Sequence, residues 1–358
     1  MTSLVRPFTA VSGTDRPWVG GKAASLGELA AAGFPVPPGF VVTTAAFAQV
    51  IATVDPDGAL RASLAALPGD DHAAIARGTQ AMREAVSTVA IPADVTAAVA
   101  EGYRELSRAG PAVGDAPVAV RSSATSEDSA DTSFAGLQDT YLWVRGEDAV
   151  LDHLRRCWAS LYSVESVVYR RRNGVPENGL AMAVAIQRMV DARASGVMFT
   201  CSPTTGDRSV IALEAAWGLG SAVVSGEVTP DSYVVSKVTG EIVTRTVATK
   251  LRRHRMDPTG SGVVAEDVPV AEQTVACLDE AQIGVLVRLS RRIEHHYGVP
   301  QDIEWALSTS GEVFVLQSRP ETAWSRRRTA PVARPKARAF DHVVDLLGGR
   351  AARPEREA

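Results

Sequence analysis

Residues 302–320 read DIEWALSTSGEVFVLQSRP, in which Asp302, Glu304, Gln317 and Arg319 are interleaved with apolar residues. Side chains alternate along a strand, so Asp302, Glu304 and Ala306 share one face while Ile303, Trp305 and Leu307 share the other. A two-residue turn at Ser310–Gly311 sets Glu304 across from Gln317 and Asp302 across from Arg319. On the return strand Val315, Gln317 and Arg319 then share a face opposite Phe314 and Leu316. A carboxylate beside an amide oxygen suits a hard cation such as Mg²⁺, which takes few protein ligands where a polyphosphate supplies the others. Arg319 can meet phosphate oxygens bidentately. The competing reading is a solvated hairpin face with a cross-strand Asp–Arg pair, which is common and weakly stabilising.

Other stretches hold groups suited to anions. Gly20-Gly21-Lys22 stands ahead of a helical segment. The first N–H groups of a helix lack partners and attract anions, glycines admit a phosphate closely, and an adjacent ammonium adds a point charge. The full P-loop spacing is missing, so a plain loop with a solvated lysine competes. Arg121 ends the apolar strand PVAVR (117–121) and is followed by SSATSEDSADTSFAG (122–136). By composition that run is an exposed loop; by length it belongs with lids and binding loops. Gln187 interrupts the apolar strand AMAVAIQRMV (181–190), where a buried amide needs a partner such as a nucleobase or ribose, and an edge position facing water serves equally well. Gly218, Gly220 and Gly226 punctuate residues 215–233, for close backbone approach or merely for turns. His295 and His296 end a helix, where histidine commonly caps carbonyls. No Ser-His-Asp or Cys-His arrangement stands out.

The elements that must position these groups follow from periodicity. Residues 20–34 read as a turn and a short helix stopped by Gly33, followed by a strand at 40–43 and Thr44 as an N-cap. Helices are expected around 72–89, 93–109, 147–164 and 279–297. Strands are expected at 117–121, 181–190, 195–200 and 209–217, with hairpins at 234–247 and 302–319. The pattern is α+β with mostly antiparallel strands and lacks regular βαβα alternation. Segments 1–110, 111–324 and 325–358 are expected as an N-terminal lobe, the lobes carrying the anion-binding residues, and a basic tail in which only 340–347 could make a helical turn.

Composition narrows the function classes. The 358 residues carry a net charge of −4, which argues against a nucleic-acid partner. Residues 1–325 hold 28 basic against 37 acidic side chains, a net of −9, so an acidic body precedes the basic tail. Three cysteines, Cys157, Cys201 and Cys277, are too scattered for a disulfide framework or a zinc site. Neither a signal-peptide core nor a membrane-length apolar run is visible, and a cytoplasmic setting is expected.

Taken together, VGGKAASLGELAAAGFPVPPGFVVTTAAF, VAVRSSATSEDSADTSFAGLQDTYL, SGVMFTCSPTTGD, AAWGLGSAVVSGEVTPD and DIEWALSTSGEVFVLQSRPET closely resemble the N-terminal ATP-binding part of the phosphoenolpyruvate synthase and pyruvate phosphate dikinase family, which includes rifampin phosphotransferase. These segments come in the family's order and span residues 15–324. The resemblance implies a multi-lobed, ATP-grasp-like fold with an N-terminal helical portion and ATP held between lobes. It implies that Lys22 and Arg121 contact phosphates, that Gly136 and Thr140 belong to a phosphate-side loop, and that Gln187 lies near the adenine or ribose. It further implies that Glu304 and Gln317 serve Mg²⁺, that Asp302 is a family acid, and that Arg319 clamps the transferring phosphoryl group. Lys22, Arg121 and Arg319 are the catalytic set it assigns. Such proteins move the β-phosphoryl of ATP onto a histidine of a swivelling domain, yielding AMP, and that histidine phosphorylates a small organic molecule. None of the six histidines here lies in the family's Gly- and Thr-rich phosphohistidine motif, so the chain resembles one component of a split enzyme such as phenylphosphate synthase. A self-sufficient kinase or ligase forming ADP, and a non-enzymatic nucleotide-binding regulator, are the alternatives.

Overall fold

The computed structural model describes residues 3–67, 72–110, 114–125, 139–177, 179–258, 260, 262–322 and 324. The N-terminal part runs β1 (Val5–Pro7), α1 (Arg16–Ala31), β2 (Gly39–Val42), α2 (Thr44–Val54), α3 (Ala59–Ala65), α4 (His72–Thr88) and α5 (Ala93–Arg108). Next come β3 (Val118–Ala124), β4 (Thr140–Val144), α6 (Glu147–Ser160), α7 (Val164–Arg172) and β5 (Met182–Arg188). The remainder is β6 (Ala192–Phe199), β7 (Val210–Trp217), α8 (Ser221–Val224), β8 (Asp231–Ser236), β9 (Ile242–Thr246), β10 (Arg252–Met256), β11 (Val263–Asp267), α9 (Glu280–Tyr297), β12 (Gln301–Ser308) and β13 (Val313–Pro320).

Two antiparallel sheets organise these elements, with strand orders β1-β2-β5-β3-β4 and β13-β12-β6-β7-β8-β9, and β10 pairs β11 as a separate ribbon. The α+β class therefore holds, with antiparallel ladders throughout both sheets. The first sheet joins strands from both sides of residue 110, because Gly39–Val42 pairs with residues 184–187. The boundary expected at 110 thus does not separate sheets; the chain passes from one sheet to the other at residues 189–191.

Alternation along β3 and β5 decides what each face of the first sheet does. Val118, Val120, Val184 and Ile186 pack into the larger core with Phe47, Val50, Val99, Leu154 and Trp158 from the covering helices. Each such fully buried aliphatic side chain contributes roughly 1.5–3 kcal/mol. On the opposite face Ala183 and Ala185 pack with Val19, Ala23 and Leu26 of α1. In the second sheet Ile303, Trp305, Leu213 and Met198 pack with Ile283, Leu286 and Ile293 of α9. That leaves the opposite face of the second sheet for polar residues.

The helix boundaries sharpen several expectations. α2 begins at Thr44, and the capping position is Thr43, whose hydroxyl donates to Ser3 O instead of to its own helix. The segment expected as one helix over 147–164 ends at Ser160, and a second helix starts after Ser163, whose hydroxyl caps Ser166 N. α9 has a full capping box between Asp279 and Gln282 and closes at Gly298 in the left-handed conformation. His296 faces Glu28 Oε1 at 3.1 Å rather than capping carbonyls.

α1 contains the turn expected before Lys22. Gly20 has φ 72 and ψ 174 inside the helix, so the chain re-enters helical geometry at Gly21. A side chain at Gly20 would put Cβ 1.9 Å from Ser123 O, whereas Gly33, at φ +77 after the helix end, has open space around it. Phe34 N bonds Leu29 O at 3.0 Å, closing α1 with a Schellman-type wrap. Gly33→Ala should cost about 1–3 kcal/mol of backbone strain, and Gly20→Ala should cost clearly more because the α1–β3 contact must also open. Urea denaturation checks this, and equal losses for the two variants would contradict the close-approach role of Gly20.

Candidate functional site

Arg121 projects from β3 on the face that α1 leaves uncovered beyond Ser123. Its Nη1 donates to Leu316 O at 2.8 Å, and its Nη2 donates to Glu304 Oε2 at 2.9 Å and to Gln317 Oε1 at 2.7 Å. A strand of the first sheet is thereby tied to the β12–β13 hairpin of the second. Arg121 is 8% exposed, and a guanidinium at that depth needs its acceptors. Its Nε is buried with no partner among the described residues.

The hairpin pairs Asp302 with Arg319 and Glu304 with Gln317, as alternation predicts. The turn and the apolar face differ from expectation. Beyond Glu304 the register shifts, so that Trp305 pairs Val315 and Leu307 pairs Val313. Leu316 is the extra residue of a β-bulge, and Val315 joins Trp305 in the core instead of sharing a face with Gln317. The bulge compensates for a turn one residue longer than Ser310–Gly311. It also turns the Leu316 carbonyl out of the ladder, where Arg121 takes it.

Arg121, Thr140, Gln187 and Glu304 line one cavity of about 310 Å³ between the two sheets, together with Met189, Val190, Ala192, Leu219 and Trp305. Thr140 is brought there by its register, since it pairs Arg121 across β3–β4. Gln187 lies on central strand β5 between Gly39 and Ala119, not at an edge. It is 2% exposed, and its Nε2 has no partner among the described residues. A buried amide donor beside a cavity is an unmet hydrogen-bonding demand that a ligand acceptor can fill.

Asp302, Gln317 and Arg319 continue along the same face of the second sheet, outside the cavity wall. Arg319 Nε and Nη2 both donate to Asp302 Oδ2, at 2.7 and 2.6 Å. Lys22 is buried at the start of the second helical stretch of α1, after the Gly20 kink, which is seated on β3 by Ala23 N donating to Ser123 Oγ at 3.1 Å. Its charge reaches the Cys157 thiol, although burial dominates there and pushes that thiol far up.

Glu214 is a carboxylate that sequence reasoning passed over. It is in register with Val197, which pairs Glu304, so the two acids share a row two strands apart. Burial pushes the Glu214 carboxyl above its ordinary range. Its signal was the lone acid in SVIALEAAW.

Glu304 Oε2 and Gln317 Oε1 already converge on one cationic nitrogen, so the pair fits the hard oxygen donors that Mg²⁺ takes. Of the loop expected over 122–136, Ser122 and Ser123 instead lie buried in β3, and the part from residue 126 on, Gly136 included, lies outside the described residues, as do the tail beyond residue 324 and its segment 340–347. Among the described residues no helix is long and apolar enough to cross a membrane.

Residues 16–339 match the family described as pyruvate phosphate dikinase, AMP/ATP-binding domain. A probable phosphoenolpyruvate synthase of Methanothermobacter thermautotrophicus is 41% identical over 325 residues, covering 90% of this chain and 46% of that protein. The phosphoenolpyruvate synthase of Pyrococcus furiosus is 37% identical over 392 residues, covering 98% of this chain and 47% of its own length. The rifampicin phosphotransferase of Streptomyces sviceus is 44% identical over 306 residues, covering 85% and 34%. The chain thus spans less than half the length of these curated relatives. The crystal structure of the D-cycloserine synthetase DcsG overlaps 83% of this chain and 61% of its own at 15% identity, with a TM-score of 0.29.

The Arg121–Glu304 contact should be measurable as coupling. In a double-mutant cycle with Arg121→Met and Glu304→Gln, urea denaturation should give an interaction of about 1–3 kcal/mol, as for hydrogen bonds to charged groups. Additivity of the two substitutions would show that the contact between sheets contributes nothing.

Proposed function

Because the chain belongs to the pyruvate phosphate dikinase AMP/ATP-binding family, we propose that it binds Mg·ATP between its two sheets and passes the β-phosphoryl group to a histidine on a separate swivelling domain. The matched family is an AMP/ATP-binding domain and one relative is a rifampicin phosphotransferase, which supports ATP-dependent phosphotransfer. The observation that supports this reading most is the Arg121 cluster, in which a buried guanidinium gathers a carboxylate, an amide oxygen and a carbonyl at one wall of a cavity. Such a cluster holds both signs of charge needed to seat a metal-bound polyphosphate. The apolar wall of Met189, Val190, Ala192 and Leu219 suits a nucleobase.

In this reading Glu304 and Gln317 hold Mg²⁺, which supplies neutralisation of phosphate charge. Arg121 and Lys22 orient the phosphates, Asp302 fixes the Arg319 guanidinium, and Arg319 meets the group in transfer. Thr140 and Gly136 belong to the phosphate side, and Gln187 offers its amide to the adenine or ribose. The incoming imidazole nitrogen bonds to the β-phosphorus as the bond to the α-phosphate bridge breaks, and AMP leaves. The terminal phosphate is then released to water or phosphate, and the phosphohistidine serves a small organic acceptor. Segments 1–110, 111–324 and 325–358 would then act as a lysine-bearing lobe, the lobes of an ATP-grasp-like site, and a basic tail. The setting would be cytoplasmic, with no nucleic-acid or membrane partner.

Chromatographic product analysis tests this. The chain with a phosphohistidine-domain partner should form AMP, and Arg319→Ala should slow that formation by roughly 10²-fold, as expected for loss of one preorganised charge stabiliser. ADP formed together with a phosphorylated small molecule by the chain alone would replace this reading with a self-sufficient kinase.

A further inference from the structure

Three side chains distant in sequence meet beside the same cavity. Ser221 Oγ and His254 Nδ1 lie 2.8 Å apart, and His254 Nε2 lies 3.2 Å from Glu227 Oε2. Ser225 Oγ donates to the other oxygen of that carboxylate at 2.9 Å. Ser221 and Ser225 both line the 310 Å³ cavity, while the Glu227 side chain is half exposed.

Two glycines assemble this cluster. Gly218 has φ 75, and a Cβ there would fall 2.3 Å from His254 O. Its bareness lets β10 approach closely enough for Leu219 N to bond that carbonyl at 3.0 Å. Gly226, at φ 73, reverses the chain after α8 so that Glu227 N returns to Ala222 O at 3.2 Å and the carboxylate reaches His254. These are two of the three glycines for which the sequence left close approach and simple turning both open.

The hydrogen-bond chain has a direction. A carboxylate only accepts, so His254 Nε2 donates to Glu227, and whenever the ring is neutral its Nδ1 is left as an acceptor. Ser221 must then give its hydroxyl proton to Nδ1, and its remaining lone pairs accept from whatever occupies the cavity. Ser221 is thereby held as an acceptor rather than a freely rotating hydroxyl.

Its place in the cavity identifies the donor. Along β6, Val197 pairs Glu304 and Ser195 pairs Ala306, so Ser195 stands about 7 Å from the charged row. A Cβ at Gly220, the neighbour of Ser221, would lie 3.6 Å from Ser195 Oγ. Ala192, on the apolar wall, is three residues further along the strand. Ser221 thus sits between the groups suited to phosphates and those suited to a base. Resting on the ATP reading of this cavity, we propose that the Ser221–His254–Glu227 chain is a sugar-recognition device, in which Ser221 accepts a hydrogen bond from one ribose hydroxyl and so discriminates against a sugar that lacks it. Ser221 is the specificity-determining residue; His254 and Glu227 position it.

Calorimetry on the full chain with Mg²⁺ tests this, using ATP, its 2′-deoxy and 3′-deoxy analogues and the matching 2′-fluoro and 3′-fluoro compounds. At one ribose position the deoxy analogue should bind about tenfold more weakly than ATP, the size of one hydrogen bond. The fluoro analogue at that position should be equally weak, because fluorine cannot donate. Ser221→Ala should bind ATP and that deoxy analogue alike, Ser221→Thr should restore the preference, and Glu227→Leu, which leaves His254 Nε2 no acceptor there, should reduce it with an unchanged melting temperature. Preference retained in Ser221→Ala, a fluoro analogue that binds like ATP, or full preference in Glu227→Leu would overturn the device. ATP bound with no preference among the five nucleotides overturns the sugar assignment alone, whereas failure to bind Mg·ATP at all overturns the nucleotide reading beneath it.

Discussion

A guanidinium shut between two sheets has to be met by acceptors, and the way Arg121 is met determines much of the architecture around it. Its root is strand β3, whose neighbours supply a rigid base, while its acceptors all come from the β12–β13 hairpin. One of them, Leu316 O, is available because a bulge removes it from the ladder. Without the bulge that carbonyl would face the adjacent strand, and the buried charge would lose one of its three partners. Hydrogen bonds to a charged group contribute about 1.5–3 kcal/mol each. The contact therefore fixes the separation of the sheets as well as the electrostatics of the cavity between them.

The remaining constraints are places where backbone must come close to backbone. Gly20 lets α1 settle on Ser123, which presents Lys22 at the start of a helix beside β3. Gly218 performs the corresponding task between β7 and the β10 ribbon, and this brings His254 to Ser221. Both glycines lie next to groups with chemistry rather than in remote turns. Charge and apolar surface are correspondingly sorted, with Arg121 and Glu304 on one part of the cavity and Met189, Val190 and Leu219 on another.

What could be read in the sequence was local and periodic. Alternation over 302–319 was enough to pair Glu304 with Gln317 and Asp302 with Arg319, because both pairs lie on the turn-distal side of the bulge. The same alternation misplaced Val315, since a single inserted residue reverses every side chain between the bulge and the turn. Gln187 was visible as an oddity in an apolar strand, but its central position depended on pairing with β2 and β3, which no local pattern encodes. Ser221, Glu227 and His254 were beyond reach for the same reason. Their meeting depends on a ribbon crossing at Gly218, and glycine alone does not say what will approach it.

We propose that a metal-bound triphosphate is held in the space beside Arg121. The most direct test is a crystal structure of the chain with Mg²⁺ and a non-hydrolysable ATP analogue. The triphosphate should lie against Arg121 and Arg319 with the metal on Glu304 and Gln317, and the base should rest among Met189, Val190 and Leu219. A nucleotide bound elsewhere, or a triphosphate pointing away from Arg121, would contradict it.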